Sequence, residues 1–264
     1  MIFINKKKEK VKFLHTYYQD DLFIAEFPKS GITWMTTMLA YIEEAHSPVS
    51  HPGEFERPVG WGIIPRYISD DSIQVPLSPY RSKIFGGRII KTHSKWEKQH
   101  QRCIYLYRHP ARVMVSYWVM LKSYGQIDKS MKLETFCLHK DYGLPAWRAH
   151  VNSWLHESSL GSVIFFLSYE NLEADTAGCM QKICNLFGIR ITNDCLDKAV
   201  NASSRAKMIE AQSLVEKMDI RHKEKNAEYS FIGQQNRGLN DANSIRSLVD
   251  NSCSDQLALL NRLG

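Results

Sequence analysis

Leu22-Phe23-Ile24-Ala25-Glu26-Phe27-Pro28-Lys29-Ser30-Gly31-Ile32-Thr33-Trp34 is the stretch that decides the fold. Its first six residues read as a strand, and the run that follows, reaching about Glu44, reads as a helix. A short loop with one glycine turns the chain from one to the other. Such a turn makes an anion cradle, because the unpaired N–H groups and the positive dipole end of a helix face a negative group. Lys29 adds a mobile cation, and Ser30 and Thr33 add hydroxyl donors. The pattern G-x-x-x-x-G-K-[ST] of the usual triphosphate cradle occurs nowhere in the chain. The loop therefore asks for a phosphate compound other than ATP or GTP.

Outward from this loop, strands and helices alternate. Ile84 to Thr92 contains Arg88-Ile89-Ile90-Lys91-Thr92, a strand ending at His93. Cys103 to Tyr107 is a second short apolar run, followed at once by Arg108-His109-Pro110. Pro110 suits a first helical turn, and Val113, Tyr117, Met120 and Leu121 continue at helical spacing to about Tyr124. Ser162 to Leu167 predicts a further strand leading into Tyr169-Glu170. Helices are expected around Asp175–Phe187, closed by Gly188, and around Asp255–Leu263. Strands separated by helix-sized segments predict an α/β fold, a central parallel sheet flanked by helices on both faces.

At 264 residues, 44% hydrophobic and 23% charged, the chain can bury a full core, and one domain over 1–264 is the expected organisation. Residues 1–20 read as an N-terminal arm, in which Lys6, Lys7, Lys8, Lys10 and Lys12 form a solvated basic run. The net charge of +6 favours anionic ligands but lacks the clustering of a dedicated nucleic-acid protein. The six cysteines show no C-x-x-C pairing and read as reduced, mostly buried thiols. No window approaches the length of a membrane span and no signal-peptide core follows the N-terminus, so no membrane partner and a cytoplasmic location are expected. Two stretches read as long loops. Residues 47–82 hold six of the nine prolines, and residues 217–243 are polar and end near Arg237-Gly238.

In an open parallel sheet, ligands gather beyond the carboxyl ends of the strands. Four such ends carry polar residues here: Lys29 and Ser30, then Lys91 and His93, then Arg108, then Tyr169. Ser116 stands eight residues past Arg108, roughly 12 Å of helical rise, so one anion could touch both only through the long arginine side chain.

This ordered series, Pro-Lys-Ser-Gly-x-Thr-Trp, then Lys-Thr-His, then Arg with Ser eight residues on, then Tyr-Glu, resembles the cytosolic sulfotransferases. Those enzymes use 3′-phosphoadenosine 5′-phosphosulfate (PAPS) and release adenosine 3′,5′-bisphosphate (PAP). The resemblance implies that Lys29, Ser30, Gly31, Ile32, Thr33 and Trp34 form a P-loop-like cradle for the 5′-phosphosulfate, with Trp34 close to the adenine. It implies that Arg108 and Ser116 hold the 3′-phosphate and that Tyr169 contacts adenine. Ser203 and Met208 resemble a further nucleotide segment, and Arg237 and Gly238 the end of a late element on the 3′-phosphate. His93 would be the general base, Lys29 would stabilise the leaving nucleotide, and Lys91 would hold sulfuryl oxygens; no metal is implied.

The chain departs from the family pattern in places. Ile32 stands where threonine is common, so only its backbone N–H is left for the 5′-phosphate; Arg205 replaces a phenylalanine, Asn236 an arginine, and Arg112 an acidic residue. The family's C-terminal dimerisation motif is not recognisable, so a homodimer is left open. A nucleotide kinase, a non-catalytic anion-binding module and a sulfotransferase that has lost its chemistry are the rival readings. The acceptor implied is a small molecule bearing a hydroxyl or amine. Phe55, Trp61, Tyr67 and Tyr80 are candidates to line its pocket, with Trp96, Tyr124, Tyr142 and Trp147 as further contributors.

Overall fold

A computed structural model describes residues 16–46, 69–71, 77, 79–157, 162–210 and 239–264. Five strands form one sheet: β1 (Leu22–Glu26), β2 (Ser69–Asp70), β3 (Ile89–Thr92), β4 (Arg102–Tyr107) and β5 (Val163–Ser168). Their order is β2-β3-β1-β4-β5 and every pairing is parallel. The helices are α1 (Ile32–His46), α2 (Pro110–Ser123), α3 (Leu133–Cys137), α4 (Leu144–Glu157), α5 (Tyr169–Ala174), α6 (Thr176–Leu186) and α7 (Asn193–Ala202). Near the end of the chain come α8 (Leu239–Ser244) and α9 (Arg246–Leu263). Residues 205–210 are also helical.

The strands are apolar on both faces because both faces are covered. Phe23 and Ala25 of β1, with Cys103, Tyr105 and Tyr107 of β4, pack into a core shared with α2, α3, α4 and α9. The intervening residues Leu22, Ile24, Ile104 and Leu106 face a second core built with α1, α6 and α7. The period of two along each strand thus distributes side chains between two apolar layers, as a doubly covered sheet requires. Five cysteines are buried, Cys195 is half-buried, and all six are free thiols. Among the described residues no helix is long and apolar enough to cross a membrane.

Local chemistry sets the ends of the elements. Pro110 opens α2, and the His109 ring accepts the Ala111 N–H at 3.3 Å. Asp175 caps α6 through Gly178 N–H at 2.9 Å, and Gly188, with φ 70°, turns the chain after that helix. Three expectations are corrected. The strand expected from Ile84 begins only at Ile89, and β2 lies inside the stretch read as irregular. The C-terminal helix begins at Arg246 rather than near Asp255, because Val249, Cys253 and Leu260 carry its buried stripe through a polar sequence.

The order of the strands positions the site. β1 leads on to β2 and β3 on one side, while β4 leads to β5 on the other, so the winding reverses between β1 and β4, the place where open parallel sheets gather ligands. Register brings the flanking residues level: Ala25 pairs with Thr92, Glu26 with Leu106, and Tyr107 with Ser168.

Candidate active site

The loop after β1 is built on Glu26. This carboxylate is 2% exposed and accepts the Lys29 N–H at 3.1 Å and the Ile32 N–H at 2.7 Å. Lys29 adopts φ 78°, a left-handed conformation that costs about 1–3 kcal/mol for a non-glycine residue and persists only where its surroundings enforce it. The Glu26 bond supplies that enforcement. Gly31 has φ 114°, and a Cβ there would come within 2.6 Å of the Tyr169 ring, so the position excludes any side chain.

These bonds revise what the loop offers a ligand. The Ile32 N–H, expected to face the donor, is already engaged by Glu26, because a buried carboxylate must find donors. The Ser30 hydroxyl, expected to be a donor to the ligand, is buried and donates to Phe27 O at 2.9 Å, closing the loop on itself. Among the described residues, no protein acceptor pairs with the N–H groups of Ser30, Gly31 or Thr33. Those three N–H groups are what the backbone of the loop can present.

Two groups of side chains flank the loop. On one side, Trp34 of α1 meets Tyr169 with ring centroids 5.6 Å apart, and the Arg108 guanidinium lies 4.2 Å from the centre of the Tyr169 ring. Trp34 Nε1 donates to Ser203 O at 2.9 Å. The Ser203 hydroxyl is buried and donates to Ala199 O at 2.8 Å, so this residue supports Trp34 through its backbone rather than offering a side chain. Burial raises the Tyr169 pKa, opposed by the charges of Arg108 and Arg205, which places the unexpected Arg205 at this end. Arg108 Nε is buried and has no hydrogen-bond partner among the described residues. Ser116 is half-buried in α2, and Met208 is 4% exposed.

On the other side, His93 follows β3, with Nδ1 3.4 Å from Glu26 O and 3.8 Å from Glu26 Oε1. Lys91 is 7% exposed, and its charge together with that of Lys29 acts on Glu26. Burial pushes the Glu26 carboxyl up to about 7 in spite of the Ile32 N–H and the two lysines. Behind His93, the His150 ring is bonded twice, Nε2 to His93 O at 3.2 Å and Nδ1 to the Tyr105 hydroxyl at 2.9 Å. A carbonyl only accepts, so His150 carries its proton on Nε2 and Tyr105 donates to Nδ1. Glu26 and His150 were missed from the sequence. Glu26 sits at the carboxyl end of β1, where a charged residue in an apolar strand was the available signal, whereas His150 gave none.

These buried groups predict how stability depends on pH. Burial lowers His150 to about 3 and His100 to about 4, against about 6.5 for an unfolded histidine. Their contribution is complete above pH 6.5 and is lost as pH falls below it. Glu26 acts in the opposite sense: its contribution is complete below about 4.5 and is lost as pH rises through 7. Between 6.5 and 4.5 two histidines oppose one carboxyl, so resistance to urea falls with pH. Glu26→Gln removes the opposing slope, about 1.4 kcal/mol per pH unit, and steepens that fall. Urea midpoints that rise on acidification, or that ignore the substitution, would contradict this.

The aromatics named for the acceptor divide sharply. Trp147 is 1% exposed and belongs to the core. Tyr80 donates to Glu43, eleven residues into α1 and so about 16 Å of rise from the loop. Tyr142 stacks on His139 at 4.7 Å and meets Tyr117, which meets Phe27 at 5.8 Å, so that series leads back to the loop. Phe55, Trp61, Tyr67, Asn236, Arg237, Gly238 and the basic arm lie outside the described residues. No group of residues able to hold a metal is found among those described.

The sulfotransferase domain family matches residues 19–236, which takes in the loop, both flanking groups and the whole sheet. The chain belongs to that family. Sulfotransferase 2B1 of Mus musculus is 26% identical over 197 residues, covering 72% of this chain and 56% of the relative. Sulfotransferase 2B1 of Homo sapiens is 25% identical over 202 residues, covering 72% and 52%. This sulfotransferase-family chain thus spans a little over half the length of those curated relatives. In three dimensions it shares its fold with retinol dehydratase in complex with androsterone and the inactive cofactor PAP. The TM-score is 0.70 at 15% identity, over 93% of this chain and 83% of that one.

Proposed function

We propose that this chain transfers the sulfuryl group of PAPS to a hydroxyl or amine of a small-molecule acceptor, as one domain acting in the cytoplasm. One observation carries the proposal. The loop after β1 lies between a cation over an aromatic ring, Arg108 over Tyr169 with Trp34 beside it, and a half-exposed histidine, His93, facing the Glu26 on which Lys29 and Lys91 act. A donor with a phosphate on its ribose, a planar base and a reactive anhydride needs those features in that order. Arg108 meets the 3′-phosphate with Ser116, and later Arg237 and Gly238; Trp34 and Tyr169 bound the adenine; Ser30, Gly31 and Thr33 cradle the 5′-phosphosulfate.

In the transfer, the acceptor oxygen or nitrogen bonds to sulfur as the bond from sulfur to the bridging oxygen breaks. The acceptor's proton passes to His93 Nε2. Lys29 neutralises charge developing on the departing phosphate, and Lys91 holds the sulfuryl oxygens, the logic of in-line phosphoryl transfer. The PAP, androsterone and retinol in the structures of retinol dehydratase support both the donor and a compact, largely apolar acceptor. Radiolabelled PAPS offered with panels of phenols, alcohols and amines is expected to label at least one product. Phosphoryl transfer from ATP, or no transfer together with no affinity for PAP, would overturn the reading.

A further inference from the structure

The register between β1 and β3 ends at Thr92, so the backbone of residues 93–96 runs on past the paired part of the two strands. Three side chains of α4 take up that backbone. His150 Nε2 donates to His93 O at 3.2 Å, Trp154 Nε1 donates to Ser94 O at 3.2 Å, and the Ser153 hydroxyl accepts the Trp96 N–H at 3.1 Å. Ser153 donates in turn to His150 O at 2.7 Å, which leaves its lone pairs for Trp96. Positions 150, 153 and 154 are i, i+3 and i+4, so one face of a single helical turn holds the segment.

His150 is the member bonded to His93 itself. It is 4% exposed, and the rings of Tyr105 and Phe27 enclose it with centroids 5.7 Å away on each side. Burial keeps the Tyr105 hydroxyl protonated, and it donates to Nδ1 at 2.9 Å. A fixed donor at Nδ1 and a fixed acceptor at Nε2 leave the imidazole one tautomer and one orientation.

We propose that His150 is a positioning residue for His93: through His93 O it fixes the backbone from which that imidazole projects, with Ser153 and Trp154 completing the clamp. His150 exchanges no proton. The helix thereby sets where His93 stands against the loop after β1. The kinetic consequence rests on reading His93 as the group that takes the acceptor's proton; the clamp does not.

Nitrogen NMR on the full chain labelled at histidine tests the bonds directly, with His150 assigned by its loss in His150→Gln. The wild-type ring is expected to stay neutral and protonated on Nε2 from about pH 8 down to about pH 5, since burial holds it at about 3. A ring protonated on Nδ1, or one that titrates in that range, overturns the proposal whether or not any variant folds. Hydrogen exchange tests the clamp. In His150→Phe, peptides covering residues 93–96 should exchange about 10-fold faster, and His150→Gln, whose amide can still donate to His93 O, should recover most of the protection. Unchanged exchange in His150→Phe overturns the clamp.

With an accepted substrate, His150→Phe should lower kcat about 10- to 100-fold, because displacing a catalytic group by about 1 Å costs about 10²-fold. The donor KM and the affinity for PAP should hold within a few-fold, His150→Gln should recover most of kcat, and His150→Phe should cost little more in a His93→Ala background. A full further loss in that background, or PAP affinity falling together with kcat, would make His150 a merely structural residue and overturn its positioning role. Failure of the wild type to transfer to any acceptor sinks the reading of His93 and the kinetic part with it, while the tautomer and the exchange rates still decide the clamp.

Discussion

His93→Ala is expected to lower turnover by about 10²–10⁴-fold while PAP binds nearly as before. The ring is half-exposed at the end of β3, with its Nδ1 turned to Glu26, and Nε2 is the nitrogen proposed to take the acceptor's proton. Removing it takes away a proton acceptor and no donor contact, because the described groups proposed for the nucleotide lie on α1, α2 and α5, in the loop after β1 and in the turn between β4 and α2. The loss should therefore appear in kcat, with the calorimetric affinity for PAP kept within a few-fold. Near-normal turnover would remove His93 from the chemistry. An equal collapse of PAP affinity would make it a structural residue of the loop.

Arg108→Ala is expected to weaken PAP about 100-fold and to leave AMP almost unaffected. A charge-assisted hydrogen bond is worth about 1.5–3 kcal/mol, the range in which a 100-fold loss falls. Arg108 has a reason to be specific: its guanidinium carbon lies over the Tyr169 ring, 4.2 Å from its centre, and its buried Nε has no partner among the described residues. Arg108→Lys should restore only part of the affinity, since an ammonium neither forks around a phosphate nor stacks as a plane. Calorimetry with both nucleotides decides the matter. If AMP weakens as much as PAP, the arginine does not touch the 3′-phosphate.

What the sequence made legible follows from how local each signal is. The strand, loop and helix around Lys29 were readable because glycine, lysine and apolar periodicity lie within a few residues of one another. The helix after Arg108 was readable because Pro110 marks its first turn. The α4 helix was not read, although Trp147, Val151 and Trp154 form its buried stripe, because Pro145 near its start and polar residues between them blur the period. The site was legible as a set of positions but not as a set of bonds. Ser30 and Ser203 carry hydroxyls that looked available and are consumed internally. Ile32 N–H is taken by a carboxylate whose second neighbour, His93, lies sixty-seven residues away. No spacing rule announces a pairing of that length. It arises because β1 and β3 are adjacent and in register.

The most direct test of the account is a crystal structure of the chain with PAP. It should show the 3′-phosphate on Arg108, the adenine beside Trp34 and Tyr169, the 5′-phosphate at the N–H groups of Ser30, Gly31 and Thr33, and His93 Nε2 open to the cleft. A nucleotide bound elsewhere, or a 3′-phosphate without contact to Arg108, would contradict it.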